Sequence, residues 1–76
     1  MKNKKTRYAV MQLDTRNGWA LFASTPTGGT LVHNPLKMLS FTEAEADRIV
    51  AGLKERLAGY APALLDVVCV SKLQLD

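Results

Sequence analysis

The 76-residue sequence predicts an α+β domain: an antiparallel sheet of three to four strands in the order β-β-β-α-β, with one helix packed on one face. Three observations carry the prediction. Two alternating runs, Tyr8 to Leu13 and Trp19 to Ala23, flank Asn17-Gly18, a pair that supplies the positive φ angles of a tight hairpin. Thr42 and Glu45 stand at capping-box spacing ahead of a run with helical period. An apolar run, Leu65 to Leu73, follows Pro62 and reads as a last strand.

In the first strand Ala9, Met11 and Leu13 share one side. Asp14 to Gly18 is the turn. On the returning strand Trp19, Leu21 and Ala23 face one way and Ala20 and Phe22 the other. Thr25-Pro26-Thr27-Gly28-Gly29 forms a second turn, and Leu31-Val32-His33 a short third strand ended by Asn34-Pro35. The helix is predicted from Glu43 to about Ala58, with Ala46, Ile49, Val50, Leu53, Leu57 and Tyr60 on its apolar face. Phe41 and Ala46 occupy the positions of a hydrophobic staple. Glu43, Glu45 and Asp47 at the start and Lys54 and Arg56 near the end complement the helix dipole. Gly59 is expected as a left-handed stop, with Pro62 preventing resumption. Gly52, costly inside a helix, is expected to permit close approach to the sheet. On the last strand Leu65, Val67, Cys69 and Leu73 share one side, Val68 and Val70 the other.

Size and charge bound the function. A chain of this length is one domain that buries only about 60% of its unfolded surface. Residues 1–6 read as a basic flexible leader and 7–76 as a single α+β domain. Lys2, Lys4, Lys5 and Arg7 carry more than the whole net charge of +3; the rest sets six basic against seven acidic residues and is near neutral. Only that leader is basic enough to hold a nucleic-acid backbone. No apolar run reaches the ~20 residues of a membrane span, and no secretory signal is expected, so no membrane partner is predicted. The single Cys69 fits a reducing cytoplasm, where it would act as a small core hydrophobe.

No constellation in the chain points to catalysis or to a cofactor, and none to a metal. His33 and Cys69 are single and lack ligand spacing, whereas zinc needs about four suitable ligands. Glu43, Glu45 and Asp47 are explained by the cap and the dipole. Gly28-Gly29 precedes a strand-like run and lacks the lysine of a phosphate loop. An enzyme would announce itself by a concave pocket holding His33 with a carboxylate.

Two resemblances accompany this reading. Asn17-Gly18-Trp19, then Phe41-Thr42-Glu43-Ala44-Glu45-Ala46, then Asp66-Val67-Val68-Cys69-Val70 resemble a diffuse group of small phage- and prophage-encoded proteins, in which a hairpin leads into an "F-T-x-x-E-A" helix and a "V-V-x-V" strand. That resemblance implies an accessory protein and transfers no functional residue. Leu39-Ser40-Phe41-Thr42-Glu43 is similar to the helix start of the transcriptional-coactivator family of single-stranded-DNA binders. The chain departs from that family in placing a strand after the helix and few basic residues in the strands.

One helix covers one sheet face, so the other is open to solvent or to a partner, with Trp19 or Phe22 upon it. The expected function is a non-enzymatic binding module acting by protein–protein contact through that face, with a protein partner or a second copy. The expected contact residues are Trp19, Phe22, Tyr8, Val68 and Val70, the two valines needing cover. The alternative is a single-stranded nucleic-acid binder that stacks bases on the sheet aromatics and holds the backbone with Lys2, Lys4, Lys5 and Arg7.

Overall fold

A computed structural model describes residues 6–75. It contains β1 (Tyr8–Asp14), β2 (Trp19–Ala23), β3 (Leu31–Val32), α1 (Glu43–Tyr60) and β4 (Val68–Gln74), with 3-10 turns at Pro35–Lys37 and Pro62–Asp66. The strands form one antiparallel sheet in the order β3-β2-β1-β4. The small α+β fold predicted from the sequence is therefore the fold observed.

The hairpin register follows from its turn. Asp14 faces Trp19 and Met11 faces Phe22. Gly18 takes φ +74°, and its N–H donates to the Asp14 carbonyl. Chain ends meet at β1: it pairs with β4 along its whole length, from Tyr8 opposite Gln74 to Asp14 opposite Val68. Beyond the end of β2, Phe41 bridges to Tyr8 and takes the vacant side of β1.

α1 begins as predicted. Thr42 Oγ1 accepts from the Glu45 N–H, and Glu45 Oε1 accepts from the Thr42 N–H. Phe41 and Ala46 are both buried, as a staple requires. The helix packs against β1 and β4. Its core-facing residues Ala46, Ile49 and Leu53 join Val10, Ala23, Phe41 and Val70, with Tyr8, Leu31 and Val50 at the margin.

Four local expectations are corrected. The helix passes through Gly59 to Tyr60, and Gly59 is not left-handed; the Ala61 N–H donates to the Leu57 carbonyl and Pro62 opens the next 3-10 turn. Tyr60 is 84% exposed and takes no part in the apolar face that packs on the core. Leu65 lies in that 3-10 turn, so the last strand starts at Val68. Gly52 approaches nothing: a Cβ there would meet open space. The close approach is made by Gly28, whose φ is +74° and whose added Cβ would run into Ile49 Cγ2. The turn thus needs glycine twice over, for its backbone and for the helix above it.

Candidate functional site: the uncovered sheet face

Strand pairing places cross-strand partners on one face, and alternation places their neighbours on the other. Val10, Ala23 and Val70 belong to the core with α1, which defines the covered face. The opposite face is then fixed by register. Val32, Phe22, Met11 and Ser71 form a row across all four strands; Ala20, Leu13 and Cys69 form a second; Ala9 and Leu73 lie at one end. These nine positions include one hydroxyl, no charge and no amide.

That composition is unusual for a one-helix sheet. An antiparallel sheet with one solvated face ordinarily alternates apolar-in and polar-out. Here the uncovered face is the more apolar of the two, since Gln12, Asp14, Lys72 and Gln74 all lie on the helix side, and α1 is the one α-helix among the described residues. Leu73 is 38% exposed and Cys69 is exposed, Met11, Leu13, Phe22 and Val32 are half-buried, and Ala9 at the end of the face is buried. The face is suited to apolar contact, and its only polar side-chain hydrogens are those of the Ser71 hydroxyl and the Cys69 thiol.

The structure separates the residues grouped by sequence reasoning. Phe22 lies on the uncovered face. Trp19 does not; it stands on the helix side, beyond the end of α1, 65% exposed, with its ring edge-on to His33 at a centroid distance of 5.8 Å. Tyr8 is also on the helix side, half-buried under Lys72 Nζ at 5.3 Å from the ring centroid. Val68 and Val70 need no partner's cover: both face α1, and Val70 is 6% exposed. The strand is apolar on both sides, but the helix takes the valine side and leaves Cys69, Ser71 and Leu73 outward. Cys69, expected in the core, is consequently exposed.

Lys2, Lys4 and Lys5 lie outside the described residues. Arg7 is part of the fold: its guanidinium donates to Ser40 Oγ at 3.1 Å and to the Ser40 carbonyl at 2.7 Å, and its carbonyl accepts from the Leu75 N–H. Among the described residues Phe22 is the single aromatic ring on the uncovered face, so no ladder of rings runs across it.

The Trp19 end holds a second feature. Gln12, Asp14, Trp19, Leu21, His33, Leu57, Leu64 and Val68 line a cleft of about 320 Å³. It brings His33 and a carboxylate into one concavity, the arrangement that would announce an enzyme. The carboxylate is already engaged. Asp14 Oδ1 accepts from the backbone N–H groups of Arg16 and Asn17, and Oδ2 from the Asn17 side-chain amide. Partial desolvation raises the Asp14 pKa, but these hydrogen bonds and the Arg16 charge outweigh it and hold the carboxyl below its ordinary value. No hydrogen bond joins Asp14 to His33 among the described residues. Asp14 therefore serves the turn, as a residue of its type does at this position.

The remaining ionic cluster is structural. Lys72 Nζ donates to Glu43 Oε2 at 2.8 Å and to Asp47 Oδ1 at 2.6 Å, tying β4 to the first turns of α1. Those hydrogen bonds, to Asp47 first and then Glu43, push the ammonium pKa well above its ordinary value. Sequence reasoning paired these carboxylates with the helix dipole alone; their lysine lies 25 and 29 residues away in sequence, and no local signal announces it. No group of three metal-ligating side chains occurs among the described residues. No described helix is long and apolar enough to cross a membrane. No protein-family model, curated protein or solved structure matches this chain.

Proposed function

We propose that the chain is a non-enzymatic interaction module, of the kind encoded by phages and mobile elements, that acts by protein–protein contact through its uncovered sheet face. One observation carries this reading: the row Val32–Phe22–Met11, flanked by Leu13, Ala20 and Leu73, is apolar and without a charge, and α1 lies on the opposite face. Exposed contiguous apolar surface is costly in water and marks contact sites. Phe22 sits at the middle of the row and is the natural anchor, since interface energy concentrates in a few large side chains.

The test is capture by immobilised bait from the lysate of the source cell or its host. Wild type and Trp19→Ala are expected to retain the same partner, and Phe22→Thr to lose it while keeping its fold by circular dichroism. Equal retention by Phe22→Thr rejects the reading. A second arm titrates single-stranded oligonucleotides at low salt. Binding that weakens steeply as salt rises, and that survives Phe22→Thr, would instead support the nucleic-acid alternative.

A further inference from the structure

We infer that β4 is a self-pairing edge: two copies join antiparallel through it, about a two-fold axis at Ser71, into one eight-stranded sheet. The inference concerns a different surface from the uncovered face and does not depend on that face binding a partner.

The backbone supplies the first argument. The Thr15 N–H donates to the Val67 carbonyl, and the Leu75 N–H donates to the Arg7 carbonyl. Odd-numbered residues of β4 therefore direct their backbone groups toward β1. Those of Val68, Val70 and Lys72 point the other way, where no strand lies among the described residues. β4 is seven residues long, whereas the opposite edge, β3, has two. Natural edges of this length are blunted or paired. No proline or bulge interrupts this one, and its one charged side chain, Lys72, is drawn onto α1 by Glu43 and Asp47.

Register supplies the second. The centre of Val68–Gln74 is Ser71. Pairing about that point sets the outward backbone groups of Val70 opposite those of the partner copy's Lys72 and keeps the two Lys72 ammoniums from facing each other. The uncovered rows then continue across the axis as Val32–Phe22–Met11–Ser71 followed by the same residues reversed.

Charge supplies the third. The flank of α1 beside β4 carries Glu43 and Asp47 at the Lys72 end, and Lys54 and Leu57 beside Val68 and Val70. Two carboxylates share one lysine, leaving that end one charge negative. Lys54 makes no ion pair among the described residues and leaves the other end one charge positive. α1 runs opposite to β4, so the two-fold axis brings Lys54 of each copy to the level of the other copy's Glu43 and Asp47. A flank that is negative at one end and positive at the other complements itself only when antiparallel.

Cross-linking with light scattering tests this. Antiparallel pairing makes Ser71 and its counterpart a directly opposed pair with Cα atoms about 4.5 Å apart, within disulfide reach. In a Cys69→Ser background, Ser71→Cys is expected to oxidise to a covalent dimer. Leu73→Cys, about 14 Å from its counterpart in that register, is not. Lys54→Glu is expected to raise the dimer Kd about tenfold, since the axis repeats each exposed pair twice. Adding Glu43→Lys is expected to restore it, a rescue that a merely structural role would not produce. A monomeric mass at high micromolar concentration overturns the proposal. So does equal cross-linking at positions 71 and 73, or a dimer lost in Phe22→Thr and indifferent to Lys54→Glu.

Discussion

The two faces of this sheet both carry large apolar side chains at their centre and have opposite fates. The side of Val10, Ala23 and Val70 is sealed by α1 and excludes water. The side of Met11, Phe22 and Val32 is free of charge and amide, and α1 lies on the opposite face. The difference is one of topology. A single helix of eighteen residues can cover only one side, and the crossover from β3 to β4 decides which. Hydrophobicity in a strand therefore reports that a face wants cover; it does not report what supplies the cover.

The sharpest way to break this comparison is to cut one large apolar side chain from each face. Leu53→Ala, in the sealed core, should lower stability by about 2–5 kcal/mol by urea unfolding. Phe22→Thr should cost less than half as much, because its ring is already partly wet. Equal losses would mean that something seals the second face as tightly as α1 seals the first.

Gly28 and Gly18 sharpen the same contrast in the turns. Both have φ +74°, but only Gly28 lies under α1. Gly18→Ala should cost about 1–2 kcal/mol, the strain of a left-handed alanine. Gly28→Ala should cost more, because Ile49 must also move. Equal thermal shifts would show that the turn yields without disturbing the helix.

Acid supplies the smallest effect. Hydrogen bonds from Thr42 hold the Glu45 carboxyl below its ordinary value, and those of the Asp14 turn do the same there. Both groups have lower pKa values folded than unfolded. Their contribution is complete above the ordinary carboxylate range, about pH 4 to 4.5, and is lost as pH falls through the folded values. The urea midpoint should accordingly decline below about pH 4.5, and Glu45→Gln should decline less steeply.

Much of this was legible before any coordinates. The Asn17-Gly18 hairpin, the Thr42–Glu45 capping box and the Phe41–Ala46 staple are contacts within four or five residues, where sequence spacing is geometry. The helix end was harder, because glycine accepts right-handed helical backbone as well as left-handed, and Gly59 takes the former. The candidate site was legible in part. Phe22 was named among its residues, but Trp19, Tyr8, Val68 and Val70 were grouped with it although all four lie on the helix side.

By itself the sequence determined the elements, their order and the fact that the last strand carries apolar residues on both sides, since alternation and capping act between near neighbours along the chain. Only the tertiary structure decided which side of β4 meets α1, that Lys72 reaches Glu43 and Asp47, and that Gly28 rather than Gly52 admits the helix. Those outcomes join residues 21 to 29 positions apart in sequence, and their physical cause is the single packing of one helix on one face.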